Sequence, residues 1–458
     1  MTLFSGNARL GSPALRGSRT AGVLGAAALI LLAQSISAPS ASAATGWNAL
    51  GSNLTGGGGV LAVATGPNGE IYAGGQFGNP GSPGPRRIAQ WDGQEWSTLG
   101  IPMPSGQVDA IAVAASGDVY VSGSFTEIGG IQAQRVAKWD GSTWSALGNG
   151  MDGEVSALTI DSSGNLYAGG YFNSAGGVSI HSLAKWNGSA WSALGVDSNS
   201  SVSALTSDGQ GNVYAGGDFS FAGGVTQHVA KWSRTAWSAR GDGLDDSVNA
   251  LAVDSSGNLY AGGSFLYSGA IPTNYVAKWN GTSWSALGDG TANGLNRVSY
   301  ALAVDRQDQL YVGGYFTEAG GVSASNIALW DGSVWSALGD GLSDEVDGLA
   351  LDRSGNLVAG GSFTDAGTLP TRAVAMWTPQ VVESLAADAP RTVSQAYAIA
   401  SDESCLGNAP DWVNWPGLAG SQYLSWGKSW QQWPNGGTGG FVCVRQPVYT
   451  TGGTWGSR

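Results

Sequence analysis

The sequence predicts an all-β protein built around a seven-bladed β-propeller, closed by its own N-terminal strand and followed by a small disulfide-tied β-rich module. Three observations predict it. A repeat unit of about 47 residues recurs seven times, marked by Phe77, Phe125, Phe172, Phe219, Phe265, Phe316 and Phe363 at steps of 48, 47, 47, 46, 51 and 47. Each unit holds four short β-like runs. The last unit lacks its second Trp, and the missing piece, Gly46-Trp47-Asn48-Ala49-Leu50-Gly51, stands at the other end of the chain. A repeat split across both ends is what a closed ring requires.

One repeat justifies the strands in order. Val248–Val253 alternates apolar residues, and Asp254-Ser-Ser-Gly-Asn258 is a turn. Leu259-Tyr-Ala261 is the second run and ends in Gly262-Gly263, a pair suited to a bulge or to close passage of a neighbouring backbone. The third run is Tyr275-Val-Ala-Lys-Trp279. Asn280-Gly281 signals a two-residue hairpin with both residues at positive φ, and Trp284-Ser-Ala-Leu287 is the fourth run. One such sheet cannot cover both of its apolar faces, so neighbouring blades supply the cover, with Phe and Trp as the large apolar groups.

Residues 1–43 read as a cleaved secretory signal. Arg9, Arg16 and Arg19 lead an apolar run from Ala21 to Ala33, and Ala41-Ser42-Ala43 is an A-x-A cleavage site. At 13 residues that run is too short to span a membrane, and no second one follows. Cleavage leaves 17 basic against 33 acidic residues, a charge of −16. That balance argues against nucleic acid and against anionic membranes as partners. The expected product is a secreted, soluble monomer whose partner is an extracellular protein or a glycan.

The glycine doublet after an apolar strand, the aromatic that follows it, and Trp-x-x-Leu (Trp144 to Leu147) together resemble the kelch repeat. The full period, with Ala-Gly-Gly, Phe-Thr and a Trp-Asp-Gly or Trp-Asn-Gly turn, resembles bacterial and fungal surface repeats, including those of the fungal cortical polarity markers. The resemblance covers residues 46–380 and implies a propeller. It implies no single activity, because propellers host many.

Catalytic and metal signals are sparse. The kelch-type galactose oxidases need, by that resemblance, a Cys-linked Tyr and His ligands. Here the repeats hold no Cys, and the chain has two His, His181 and His228, in loops of adjacent blades. The Trp-Asp-Gly-Ser-x-Trp turns are one residue short of a sialidase Asp-box and explain themselves as hairpins. Turns such as Asp161 to Asn165 and Asp254 to Asn258 carry acidic and amide oxygens but too few to hold calcium alone. No cofactor is expected, with calcium the one ion for which oxygen ligands are on offer. Asn53, Asn187, Asn199 and Asn280 head glycosylation sequons, and two of these are the Asn-Gly hairpins.

Acidic residues gather in the crossings from one blade to the next: Asp152 and Glu154, Asp245 and Asp246, Asp344 and Glu345. In a propeller these share a face with the loops after Phe, which add Glu127, Glu318 and Asp365. The expectation is an acidic loop face around the central channel. It is either a solvated rim or a site for a cationic partner or Ca²⁺.

After Pro379 the repeat ends. Residues 381–391 read as a linker, and 392–458 as a separate module holding both cysteines, Cys405 and Cys443. Their disulfide would close a loop of about 38 residues, worth on the order of 4 kcal/mol in the chain-entropy model. Six Trp crowd this segment, among them Trp412, Trp415, Trp426, Trp430 and Trp433. They are either its core or, in part, an exposed platform for sugar rings. The domain plan is thus signal 1–43, propeller 44–380, linker 381–391 and module 392–458. The functional expectation is a non-enzymatic binding or adhesion protein. The alternative is an extracellular polysaccharide hydrolase or lyase using the acidic loop face.

Overall fold

The computed structural model describes residues 46–51, 54, 58–77, 86–100, 104–194, 201–220, 227–290 and 292–379. In the C-terminal segment it describes the strand positions Trp412–Asn414, Tyr423–Ser425, Gln431–Gln432 and Phe441–Val442. Among these residues there is no helix, and seven four-stranded antiparallel sheets make up the propeller. The inner strands are Val60–Thr65, Val108–Val113, Glu154–Ile160, Val202–Ser207, Val248–Val253, Ser299–Val304 and Val346–Leu351. Each contacts the next, and the seventh contacts the first, so the ring is closed.

Blade 7 is completed as the split repeat requires. Its strands run Val346–Leu351, Leu357–Gly361, Val374–Thr378 and then Gly46–Ala49 from the N-terminal side. Trp47 stands opposite Trp377, with ring centroids 5.3 Å apart and an edge-on geometry. The other six blades carry the same Trp pair at 5.3–5.6 Å.

Two devices hold the blades together. The seven Phe are at most 2 % exposed, in cores that join residues of adjacent blades; burying each contributes roughly 2–3 kcal/mol. Around the outer rim, each fourth-strand Trp donates its indole N–H to a carbonyl in the preceding blade, three residues beyond that blade's own Trp. Trp96 donates to Leu50, Trp144 to Leu99, Trp191 to Leu147, Trp237 to Leu194, Trp284 to Arg240, Trp335 to Leu287 and Trp47 to Leu338, at 2.7–3.0 Å. The Trp-x-x-Leu signature is therefore an inter-blade clasp: Trp donates backwards while the Leu carbonyl accepts from the following blade.

The glycine doublet serves both expected purposes, one per glycine. A Cβ on Gly216 would lie 2.5 Å from the Val248 side chain of the next blade, so the first glycine permits close blade packing. The second, Gly217, faces the carbonyl of Ser201 at 2.2 Å from an added Cβ, where the inner strand bulges. The 51-residue step is a local insertion. A small hairpin, Gly288–Asp289 with Ala292–Asn293, lengthens the crossing from blade 5 to blade 6.

The hairpins between third and fourth strands differ from expectation. Trp279 pairs with Trp284, so four residues, not two, make the loop. Asn280 accepts the backbone N–H groups of Thr282 and Ser283, both at 2.9 Å, and Gly281 alone takes positive φ. The side-chain cap satisfies two backbone donors that a two-residue turn would leave to the strands.

Candidate functional site

The two faces of the ring use their polar residues differently. On one face lie the turns joining first to second and third to fourth strands. Asp254 accepts from the backbone of Ser256 and Asn258 and from the Asn258 amide at 2.7 Å. Lys278 lies 3.4 Å from the same carboxylate and 4.8 Å from the Tyr260 ring centre. Related Lys, Tyr and Asp contacts occur around Lys138 and Lys231. These carboxylates, weighed above as calcium ligands, are engaged by their own turns.

The opposite face carries the crossings and the loops after Phe. At one position in each of five crossings, a short polar side chain caps two backbone N–H groups of its own blade's loop. Asp152 accepts from Asn173 and Ser174 at 2.8 and 2.9 Å, and Asp245 from Leu266 and Tyr267 at 2.8 and 2.9 Å. Ser105, Asn296 and Ser343 do the same with their hydroxyl or amide oxygen. Burial works to raise the Asp152 carboxyl, but the N–H groups of Ser174 and Asn173 outweigh it and hold it below its ordinary range. Asp152 and Asp245 thus act as loop clamps here. Asp246 accepts the Ser247 N–H at 2.7 Å, and Asp344 that of Glu345 at 2.9 Å. Glu154 is exposed at the head of an inner strand, and half-buried Glu345 precedes another.

The same face carries the starts of the inner strands. In every inner strand the register with the second strand shifts at one residue, which is left unpaired in the ladder. The seven are Leu61, Asp109, Ser156, Ser203, Asn249, Tyr300 and Asp347, all half-buried. One oxygen of Asp109 and one of Asp347, Oδ2 in each case, is shielded from solvent and has no hydrogen-bond partner. Burial pushes the Asp347 carboxyl up to about 7, reinforced by the charges of Glu345 and Asp344. Burial also raises Asp109; the Gln107 amide, 2.6 Å away, opposes this and the charge of Glu154 adds to it. The Tyr300 phenol is raised by burial and then by Glu345 and Asp347.

Two further positions per blade lie at this end of the first and second strands: the one before the inner-strand core residue and the one before each Phe, paired in blade 3 as Glu154 and Tyr171. Across all three positions the ring gathers the carboxylates Asp109, Glu154, Asp218, Glu345 and Asp347 and the phenols Tyr171, Tyr300 and Tyr315, with no Lys, Arg or His. Tyr171 and Tyr315 are 63 % and 44 % exposed, on blades three apart in the ring. The nearest base along the chain is Arg297, whose guanidinium lies 5.3 Å from the Tyr315 ring centre.

Sequence reasoning placed acids on this face but missed Asp109 and Asp347. The available signal was an acid inside an apolar strand, Val108-Asp-Ala110 and Val346-Asp-Gly348, where other blades carry Leu, Ser, Asn or Tyr. His228 Nδ1 lies 3.0 Å from the Gly217 carbonyl, which accepts its N–H, and 3.8 Å from Asp218. Among the described residues no three His, Cys, Asp or Glu are grouped to hold a metal ion. No described helix is long and apolar enough to cross a membrane. The signal at 1–43, the linker, Cys405, Cys443, Trp415, Trp426, Trp430 and Trp433 lie outside the described residues. Trp412 opens a strand paired with Tyr423–Ser425.

No protein-family model matches the chain, and no curated protein matches it in sequence. Among solved structures, it is similar to the extracellular domain of a hybrid two-component system from B. thetaiotaomicron (10% identity, TM-score 0.48, covering 83% of this chain and 46% of that one). It is also similar to the WD40 β-propeller domain of Doa1 (12%, TM-score 0.47, covering 73% and 97%) and to a streptogramin B lyase (10%, TM-score 0.47, covering 72% and 96%). The chain thus spans about half the length of the first of these.

Proposed function

We propose that this chain is a secreted, kelch-like binding protein whose propeller takes a cationic group of an extracellular protein at its channel mouth. One observation carries the reading: three equivalent positions per blade, at the crossing end of the first and second strands, supply five carboxylates and three phenols without a single base. Carboxylates at a partly desolvated mouth attract a cation more strongly than a flat acidic surface does, and exposed phenol rings favour ammonium and guanidinium groups. In this reading residues 1–43 direct secretion and residues 44–380 form the propeller. The 392–458 module, tied by Cys405 and Cys443, adds a glycan contact through Trp412, Trp415, Trp426, Trp430 and Trp433.

The test is calorimetric titration with an oligolysine peptide. Binding should weaken as salt rises, and Glu154→Gln with Glu345→Gln should lower affinity about tenfold. Heat flow that is absent, or indifferent to salt and to both substitutions, sinks the reading. On a glycan array, Trp412→Ala with Trp430→Ala should lose retention while oligolysine affinity stays unchanged; a blank array with the unaltered chain removes the glycan contact.

A second reading, an extracellular polysaccharide hydrolase or lyase, has Asp347 in its favour. A carboxyl held protonated near neutrality is the general acid such chemistry uses. Release of new chain ends from a polysaccharide panel, abolished by Asp347→Asn, would favour it over binding.

A further inference from the structure

We propose that the channel is a pH-sensitive element: Asp347, assisted by Asp109, takes up a proton as the medium turns mildly acidic, which stabilises the ring and strips negative charge from its mouth. The geometry of the inner strands carries this. Asp347 sits at a bulge between core residues, with Oδ2 shielded and unpartnered. Every element packed against it lacks a compensating cation. Its own strand reads Val-Asp-Gly-Leu-Ala-Leu and follows Asp344 and Glu345, two further negative groups. The inner strand of blade 6 offers only the Tyr300 phenol, and that of blade 1, which lies against Gly348, offers Leu61 and other apolar side chains. The second strand of blade 7, Leu357–Gly361, is apolar throughout, and that of blade 6, Leu310–Gly314, offers only the Tyr311 phenol.

Asp109 repeats the arrangement on blade 2. Its neighbours are Val60–Thr65, Ile71–Phe77, Glu154–Ile160 and Val119–Gly123, which contribute Glu154, the phenols of Tyr72 and Tyr120, and no base. Gln107 satisfies one of its oxygens and leaves Oδ2 without a partner. A shielded carboxylate with an empty acceptor and acidic neighbours disfavours the charged form. Protonation removes that cost.

The sign follows from linkage. The folded-state value of Asp347 lies near 7 and the unfolded one near the ordinary 3.8. Between them the native ring binds a proton that the unfolded chain does not, so stability rises as pH falls from 7 toward 4 and is flat above 7. This rests on the mouth's geometry and not on the partner reading, so the experiment holds whether or not a cationic partner binds.

Melting temperature should be measured from pH 5 to 8.5 for the full chain, for Asp347→Asn and for Asp109→Asn. The unaltered chain should gain about 5 °C between pH 8 and pH 5. Asp347→Asn, isosteric and uncharged, should melt higher than the unaltered chain at pH 8 and lose most of that slope. Asp109→Asn should shift in the same direction by less. A chain whose melting temperature is level or falls from pH 8 to pH 6, or an Asp347→Asn variant that keeps the full slope, overturns the proposal.

Discussion

Blades 4 and 7 both break the repeat, in opposite ways. Blade 7 breaks the chain: its fourth strand comes from the far end of the sequence. Yet it keeps the Phe, the glycine doublet and the Trp pair at its seams. Trp47 meets Trp377, donates to Leu338 at 3.0 Å, and Asn48 donates to Thr378 at 3.2 Å. Blade 4 is continuous but departs from the pattern at two points. Ser233-Arg234 replaces Asp-Gly or Asn-Gly at the outer hairpin, and Arg240 replaces the clasp Leu. Its Trp237 is less buried than the fourth-strand Trp of the other blades built from one stretch of chain. The rim clasp therefore forms at a seam without covalent continuity as well as at one with it. Trp47 of the split blade is half-buried, as Trp237 is, so the split blade keeps the Trp pair and the clasp of the rest without burying its fourth-strand Trp as fully.

The strongest way to break this comparison is to remove residues 46–51. That deletes Trp47 from the seam between blades 6 and 7, and Leu50, 5 % exposed, whose carbonyl accepts from Trp96 between blades 7 and 1. Two of seven rim clasps are lost together with a large aromatic and a buried Leu. The expected cost is about 5 kcal/mol or more, seen as a fall of more than 10 °C in melting temperature or as failure to recover folded protein. An unchanged melting temperature would show that the N-terminal strand is decoration.

Substituting Arg240→Leu tests the other side. The Arg240 Nε is shielded and unpartnered, burial works to lower its guanidinium pKa, and its charge stacks 5.8 Å from the Trp279 ring. Leu at this place is at most 6 % exposed in the other six clasps. Restoring it gives up a cation–π contact of about 1 kcal/mol but removes an unsatisfied donor and adds apolar burial. A net gain of about 1 kcal/mol is expected. A higher urea midpoint at unchanged slope would show it, and a lower midpoint would mean that Arg240 is the better clasp.

How much of this was legible in the sequence follows from what each feature depends on. The blade count, the split repeat and the Phe and Trp positions were legible because the same residue type must fill the same space seven times. The clamp position was not. Ser105, Asp152, Asp245, Asn296 and Ser343 share only a short side chain with an acceptor oxygen, so no single residue type marks the position. Asp152 and Asp245 read as loose surface acids for that reason. Asp109 and Asp347 were hidden by alternation: in Val-x-Ala or Val-x-Gly the x reads as an outward residue, and the register shift at that residue appears only in the structure. The outer hairpin was read one step too tight, because Asn-Gly implies two residues until the Asn280 cap is seen.

The smallest expected effect sharpens the same contrast at the hairpin of blade 4. Gly93, Gly141, Gly188, Gly281 and Gly332 occupy one hairpin position with φ near 100°, and Arg234 fills it at 71°. A side chain there crowds its own backbone, a cost of roughly 1 kcal/mol that Gly avoids. Arg234 has one compensation, a guanidinium donated to the Gln210 carbonyl on the neighbouring turn. That contact is exposed, so its net worth is small. Arg234→Gly should therefore raise stability by about 0.5 kcal/mol, read as a small upward shift of the denaturation midpoint. Combined with Arg240→Leu, six residues away on the same outer hairpin, the gains should add if the two faults act independently. A loss on Arg234→Gly would mean that the Gln210 contact, and not backbone comfort, sets the shape of this blade.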